Sequence, residues 1–171
     1  MAADPLRWCA RSLAKILFKA MAGGTDVRGE KCESRMTRRV HHVKPLDSIR
    51  HAREVMELHR VNQLPVIVDG RLVGIVTDRD LRDAFPSVFE SPQHRELTRS
   101  HGGANADEIS VESVMTPNVV TLTSQDSLVK AAQLMRRERI GAVPIVDGSH
   151  VVGILTRSDI LDAFVAQDQA S

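Results

Sequence analysis

The sequence predicts an α/β fold built from two copies of one β-α-β-β-α unit. The first observation is an internal repeat: the phrase that begins at Met36 returns at Met115, 79 residues later. The second is that both copies contain the motif G-I-x-T-x-x-D, at residues 74–80 and 153–159. The third is a matching order of helical and strand spacing in the two copies. A repeat this clear indicates two copies of one structural unit that pack on each other.

The first half of each copy predicts a short strand and then a helix. Apolar residues at 40–43 and at 119–122 predict the strand. Asp47-Ser48 and Asp126-Ser127 are start signals for the helix. The residues at helical spacing are Ile49, Ala52, Val55, Met56 and His59 in the first copy, and Leu128, Ala131, Ala132 and Met135 in the second.

The second half of each copy predicts a hairpin and a closing helix. Pro65 and Pro144 open apolar strands, because proline cannot continue a helix. The predicted turns are Asp69-Gly70 and Asp147-Gly148, followed by strands at 72–76 and 151–155. The closing helices are expected to start at Thr77 and Thr156 and to end near Phe85 and Phe164.

The predicted organisation is an N-terminal extension (1–35), a first repeat (36–85), a connector (86–113), a second repeat (114–165) and a short tail (166–171). Each repeat alone is too small to bury a full core, so we expect the two to pack face to face. The connector is mostly polar and contains two prolines and a Gly-Gly pair, which predicts a loop with a helical turn around 93–99.

The N-terminal extension has the pattern of a cationic amphipathic helix over residues 6–21. Its basic residues are four apart and its apolar residues occupy the opposite arc: Arg7, Arg11, Lys15 and Lys19 against Leu6, Leu13, Ile16, Leu17 and Met21. Such a helix suits a membrane surface or a targeting segment. The alternative is a tail that is poorly ordered or leans on the domain. Liposome co-sedimentation with and without residues 1–35 separates these cases.

Composition excludes several classes of function. The net charge is +1, aromatic residues make up 3% and tyrosine is absent, so a nucleic-acid partner is not expected. Cys9 and Cys32 have no metal-binding or redox spacing, which indicates incidental thiols in a reducing compartment and a cytoplasmic location. No apolar run is long enough to span a membrane. No nucleotide-binding glycine loop, nucleophile elbow or carboxylate pair is present, so we expect no catalytic residues and no required cofactor.

The repeated motif has the chemistry to bind a ribonucleotide. Glycine lets a ligand approach the backbone, and the free N–H groups at a helix start suit phosphate. Thr77 and Thr156 can donate to phosphate oxygens, and Asp80 and Asp159 can accept from ribose hydroxyls. Arg79 and Arg157 stand beside these groups and can pair with phosphate.

Two alternatives remain open at this stage. Thr-x-x-Asp is also close to a capping box, in which the threonine caps a helix and the aspartate reaches back to it. His41-His42 could bind a metal, but no acid or cysteine stands at a helpful spacing, and an exposed strand end explains the pair better.

Taken together, residues 36–85 and 115–164 resemble a tandem pair of CBS domains, the regulatory repeat of the cystathionine-β-synthase type. The resemblance is carried by Met-Thr at the start of each copy, the Asp-Ser pairs, Pro65 and Pro144, and the two G-I-x-T-x-x-D motifs. It implies two repeats related by pseudo-twofold symmetry. The segment that begins TDRDLRDAFPS, with the connector after it, is similar to stand-alone CBS proteins of the acetoin-utilisation type.

The resemblance also implies roles for individual residues. Proteins of this family bind adenosyl ligands in clefts between the repeats, so Asp80 and Asp159 would hold ribose and Thr77 and Thr156 phosphate. Leu64-Pro65 and Val143-Pro144 would meet adenine through their backbone, and His42 and Thr121 would line the clefts. The copies differ in having Asp78-Arg79 in one and Arg157-Ser158 in the other. We expect the acid at Asp78 to weaken polyphosphate binding in the first site.

The function that the resemblance implies is a regulatory module with no chemistry of its own. Its ligand would be AMP, ADP, ATP, NAD or S-adenosylmethionine, and it would form a homodimer whose change of shape a partner protein reads. The alternative is a protein-interaction or scaffolding dimer with unoccupied clefts, with or without attachment to a membrane surface.

Overall fold

A computed structural model describes residues 29–85 and 106–168 and confirms the predicted α/β class. The predicted N-terminal helix at 6–21, Cys9 and the helical turn at 93–99 lie outside these residues. The elements are α1 (Cys32–Arg35), α2 (Ile49–His59), β1 (Gln63–Val68), β2 (Arg71–Thr77), α3 (Asp78–Ala84), a 3₁₀ turn (Val111–Ser113), α4 (Leu128–Glu138), β3 (Ala142–Asp147), β4 (His150–Thr156) and α5 (Arg157–Asp168).

The described chain divides into two compact units, each built mainly on one repeat. The repeat-1 unit contains residues 38–85, 106–121 and 146–152. The repeat-2 unit contains residues 29–37, 122–145 and 153–168. The stretch that leads into the first repeat therefore belongs to the unit of the second, and the stretch that leads into the second repeat belongs to the unit of the first.

In the repeat-1 unit, β1 and β2 form an antiparallel hairpin that packs with α2 and α3. The register pairs Gln63 with Thr77 and slips once, between Val66 and Ile67. Arg71 also pairs with His150 of β4. The buried core consists of Val43, Ile49, Ala52, Met56, Leu64, Val66, Val76, Leu81, Ala106 and Val111. The apolar face of α2, predicted from its spacing, thus lies in the core through Ile49, Ala52 and Met56.

The repeat-2 unit contains α4, α5 and the parts of β3 and β4 that lie outside residues 146–152. Its buried apolar residues include Leu122, Leu128, Ala131, Met135, Val143, Ile145, Leu155, Ile160 and Ala163. Cys32 of α1 is also fully buried in this unit, and burial together with the charge of Asp126 raises the pKa of its thiol to about 11. The thiol therefore stays protonated at neutral pH, as expected of an inert core cysteine.

The two leading stretches, residues 29–37 and 106–121, precede or open the repeats. Each is held by backbone hydrogen bonds to its unit. In the repeat-2 unit, Thr37 and Ile154 exchange two such bonds of 2.9 and 3.0 Å, and Cys32 N donates to Asp126 O at 2.8 Å. In the repeat-1 unit, Thr116 and Ile75 exchange equivalent bonds of 2.8 and 3.0 Å. The two leading stretches thus satisfy strand edges and helix starts that each repeat alone would leave unpaired.

Helix starts follow the sequence prediction. The Ser48 side chain accepts a hydrogen bond from His51 N, and that of Ser127 accepts one from Lys130 N, so both serines are N-caps. Both helices end at an arginine in the left-handed conformation, Arg60 (φ 54°) and Arg139 (φ 58°). None of the helices among the described residues is long and apolar enough to cross a bilayer.

Three details differ from the prediction. The first strand of each repeat is reduced to one parallel bridge, Val43 to Val66 and Leu122 to Ile145. The second turn is Gly148-Ser149 rather than Asp147-Gly148, because β3 extends through Asp147. The final helix continues to Asp168, four residues past Phe164, since no residue there stops a helix.

Candidate functional site

Backbone contacts of the first hairpin bring the three predicted parts of the first site together. Val43 N donates to Pro65 O at 3.2 Å. His42 directly precedes Val43 in the chain, so its backbone lies close to the Leu64-Pro65 segment. The register sets Gln63, next to Leu64, opposite Thr77. Asp78 N donates to Asn62 O at 2.9 Å, which anchors the start of α3 beside the start of β1.

At the first motif, Thr77 and Asp80 form a reciprocal capping box. Asp80 Oδ2 accepts from Thr77 N at 2.8 Å and from the Thr77 hydroxyl at 2.8 Å. Asp80 N donates back to Thr77 Oγ1 at 3.3 Å. The capping alternative raised by the spacing is therefore present. Both residues are partly exposed, and all the bonds to the carboxylate reach the same oxygen.

The second motif has the same geometry. Asp159 Oδ2 accepts from Thr156 N at 2.6 Å and from its hydroxyl at 2.7 Å, and Asp159 N donates to Thr156 Oγ1 at 3.3 Å. Leu122 N donates to Pro144 O at 3.2 Å, and Arg157 N donates to Gly141 O at 3.0 Å. These are the counterparts, 79 residues on, of the Val43 and Asp78 bonds in the first site. Thr121 precedes Leu122 and is partly exposed.

The residues that follow each threonine distinguish the two sites electrostatically. In the first, Asp78 Oδ2 accepts from Arg82 Nη2 at 2.7 Å, so its negative charge is paired within α3. In the second, Arg157 Nε donates to Ile140 O at 3.0 Å and is partly buried. Arg79 and Ser158 are both exposed. The second site therefore carries an oriented cation at the position where the first carries a neutralised acid.

The predicted apolar lining is largely buried. Leu64, Pro65, Val143 and Pro144 are all buried, and Leu64 and Val143 have no exposed surface. His42 is exposed, and its Nδ1 lies 3.3 Å from Val40 O. The structure thus exposes His42 and, in part, the threonine and aspartate of each motif.

Sequence reasoning missed why each motif begins with glycine. A Cβ on Gly153 would lie 2.5 Å from Met36 Sδ and 2.9 Å from Met36 Cγ. A Cβ on Gly74 would collide with Met115 Sδ and lie 3.2 Å from Thr116 O. The glycines therefore make room for the methionines of the leading stretches. The signal in the sequence was the Met-Thr pair that begins both copies.

A second missed feature is a stack of two histidine rings in the first repeat. The rings of His41 and His59 are nearly parallel, with centroids 3.5 Å apart and an angle of 12° between their planes. Partial desolvation, followed by the charges of His59, Arg39 and His42, lowers the pKa of His41 below its ordinary value of 6.5. Among the described residues, no group of three or more potential ligands is placed to hold a metal ion.

Comparison with known proteins identifies the repeats. The family model for the CBS domain matches residues 32–87 and 111–166. A CBS domain-containing protein of Dictyostelium discoideum is 38% identical over 115 residues, which are 64% of this chain and 74% of that protein. Homoserine O-acetyltransferase of Methanocorpusculum labreanum is 35% identical over 126 residues, but the match covers 72% of this chain and only 22% of that enzyme.

Solved structures show the same fold at 26–30% identity. CBSX2 of Arabidopsis thaliana, solved in complex with AMP, matches with a TM-score of 0.65 over 81% of this chain and 98% of its own. The CBS domain pair of protein MJ0100, in complex with 5′-methylthioadenosine and S-adenosyl-L-methionine, matches with 0.64 over 80% and 96%.

A third structure, a putative acetoin utilization protein (AcuB) from Vibrio cholerae, is 26% identical, with a TM-score of 0.67 over 83% of this chain and 96% of its own. The acetoin-utilisation likeness seen in the sequence is thus reproduced in the fold. Two matched repeats, both with the Thr-Asp motif on the same backbone frame, place the chain in one family. This chain is a member of the CBS domain family and contains two CBS domains.

Proposed function

We propose that this protein is a regulatory module that binds an adenosyl ligand at each of its two motifs and changes conformation or assembly when it does so. The observation that carries the proposal is the duplication of one polar geometry, with Thr77–Asp80 and Thr156–Asp159 held alike on equivalent backbone. The CBS structures that contain AMP, 5′-methylthioadenosine and S-adenosyl-L-methionine support an adenosyl ligand.

The motif can hold a ribose without unfolding its cap. Each carboxylate uses Oδ2 for the threonine, and the second oxygen can accept from a ribose hydroxyl. A phosphate, by contrast, must replace the hydrogen bond that each threonine hydroxyl now donates to aspartate. We therefore assign the aspartates to ribose and the threonines to phosphate. The bond from the threonine hydroxyl to aspartate is given up only when a phosphate binds.

The two sites are proposed to differ in their preference for phosphate. Arg157 supplies an oriented cation to the second site, whereas Asp78 and Arg82 neutralise each other in the first. We expect nucleotides with more phosphates to bind the second site more tightly, since charge-assisted bonds to phosphate are the strong ones. We also propose that the protein regulates a partner without catalysing a reaction and that it forms a homodimer. Sedimentation of the protein with and without nucleotide tests the homodimer.

One observation favours a second candidate, a protein-interaction module with unoccupied sites. Both motifs already satisfy their own polar groups as capping boxes, so no ligand is needed to complete them. In this case adenosyl compounds would leave the stability of the protein unchanged.

A thermal-shift panel of AMP, ATP, NAD and S-adenosylmethionine separates the two candidates. A ligand at 100 times its dissociation constant stabilises the folded state by about 2.7 kcal/mol, which is readily measured as a rise in Tm. Asp80→Asn and Asp159→Asn are suited to assign the sites, because asparagine keeps one acceptor for the cap and loses the second carboxylate oxygen. We expect each variant to lose one site. No shift with any of the four compounds would refute the adenosyl proposal.

A further inference from the structure

Among the residues that the structure describes, the histidine stack occurs in only one of the two repeats. His41 lies in the segment that enters the first repeat, and His59 is the last residue of α2. The residues 79 positions later are Val120, which is exposed, and Glu138, which pairs with Arg137 at 2.7 Å. The corresponding positions of the second repeat therefore carry no titratable ring.

The surroundings of the stack oppose its protonation. The charges that act on His41 come from His59 of α2 and from Arg39 and His42 of its own segment. Beside His59, Arg60 continues the chain, and the nearby acid Glu57 is held by Arg53 at 2.5 Å. Two imidazolium rings 3.5 Å apart repel each other, so acidification acts against the stacked arrangement.

The segment that carries His41 follows Thr37, which exchanges two backbone bonds with Ile154, and ends at Val43, whose side chain is buried in the core. In place of a strand ladder it has one bridge at Val43, which donates to Pro65 O at 3.2 Å and accepts from Ile67 N at 2.9 Å. The ring contact between His41 and His59 therefore joins this segment to the end of α2, in addition to the anchor at Val43.

We propose that the His41–His59 stack is a pH-sensitive latch, which holds residues 38–43 against α2 when both rings are neutral and releases them when the rings are protonated. The consequence for ligands rests on the proposed function. His42 and the backbone of Pro65 belong to the proposed first site, so release would weaken ligand binding there. The second site, with Val120 and Glu138, would be spared.

Amide hydrogen exchange without any ligand tests the latch. The amides of Val43 and Leu122 make the same bond, to Pro65 O and to Pro144 O, each at 3.2 Å. Protection factors already correct for the intrinsic effect of pH on exchange, and their ratio cancels changes in stability that both amides share. Between pH 7.5 and 5.5 we expect the protection of Val43 to fall relative to Leu122, by at most about tenfold per pH unit for each proton taken up on opening. A constant ratio would overturn the proposal.

His59→Phe is the matched control, since it keeps an aromatic ring at the stack and removes its proton. We expect the protection ratio to become nearly independent of pH in this variant, while an unchanged pH dependence would show that the histidines are not the cause and would also overturn the latch. His41→Val, which copies the residue of the second repeat, should make Val43 less protected at pH 7.5 and remove the same dependence.

Calorimetry with AMP then tests the consequence for ligands. In Asp159→Asn, where only the first site is intact, we expect AMP affinity to fall from pH 7.5 to 5.5, and we expect His59→Phe in the same background to reduce that fall. Absence of AMP binding at pH 7.5 would count against the proposed function, whereas the exchange ratio would still decide the latch. AMP affinity that is independent of pH would reject the coupling to the first site.

Discussion

The two repeats share the features that fix their backbone and differ in the side chains exposed around their sites. The serine N-caps, the left-handed arginines at the ends of α2 and α4, and the Thr-Asp boxes recur 79 residues apart. Within the described residues, the histidine stack belongs to the first repeat and the oriented Arg157 to the second. The comparison shows that the two repeats share their helix caps and backbone hydrogen bonds, whereas the charged and ring side chains around the two sites differ.

The two hairpin turns lie at equivalent positions of the repeats although the Asp-Gly pair does not. The first loop is Asp69-Gly70, with positive φ at both residues (49° and 77°), as a type I′ turn requires. The second loop is Gly148-Ser149, with positive φ at the glycine only (64°), the pattern of a type II′ turn. Both loops have two residues, so the strands keep their spacing although the Asp-Gly pair has moved by one position.

The largest effect is expected from removing the leading stretch that precedes the first repeat but belongs to the repeat-2 unit. Deleting residues 1–37 removes α1 and Met36, and with them the two backbone bonds between Thr37 and Ile154. Loss of buried Cys32 and Met36 alone should cost the repeat-2 unit about 3 kcal/mol or more. Native-state hydrogen exchange should show the loss at Leu155 and Ile160 but not at Leu64 and Leu81. A protein lacking only residues 1–28 is the control, because it keeps α1 and Met36, and its protection is the reference for the longer deletion.

An intermediate effect is expected at the motif glycines. Gly153→Ala and Gly74→Ala overpack the contacts with Met36 and Met115, and each should cost about 1–3 kcal/mol in urea unfolding. Met36→Ala should relieve Gly153→Ala but not Gly74→Ala, and Met115→Ala should do the reverse. Rescue by the wrong methionine, or by neither, would contradict the assignment of each glycine to one leading stretch.

The smallest expected effect concerns an ion pair of the second repeat. The bond from Lys130 Nζ at 2.6 Å, followed by the bond from Thr123 N, lowers the pKa of Asp126 below 3.8. A lowered carboxyl pKa stabilises the folded state above pH 3.8, and this contribution is lost as the pH falls through the lower folded value. Lys130→Gln should reduce stability at pH 7 by less than about 1 kcal/mol.

This prediction is checked by urea unfolding at pH 7 and pH 3. The difference between the parent protein and Lys130→Gln should shrink at pH 3, because below pH 3.8 the unfolded carboxyl takes up a proton and the advantage of the paired carboxylate in the folded state falls. A difference that stays constant would show that Lys130 acts through packing or helix propensity. In the first repeat His51 stands where Lys130 stands in the second, so the ion pair is one more local departure from the shared frame.

The sequence by itself determined the fold class, the helix starts and the two motifs, because each rests on local chemistry. Serine before an apolar helix caps it, and Thr-x-x-Asp closes on itself wherever a helix begins. Repetition of these signals at one spacing was enough to identify two copies of one unit and the family to which they belong.

Only the tertiary structure decided which repeat each leading stretch joins, where the second turn falls and that two histidines stack. These features depend on contacts between residues distant in the chain, such as Met36 with Gly153, which no periodicity encodes. The first strands shrank to single bridges for the same reason, since pairing partners rather than apolar content determine whether a strand forms. His41 and His59 lie 18 positions apart and gave no joint signal until the fold brought their rings to 3.5 Å.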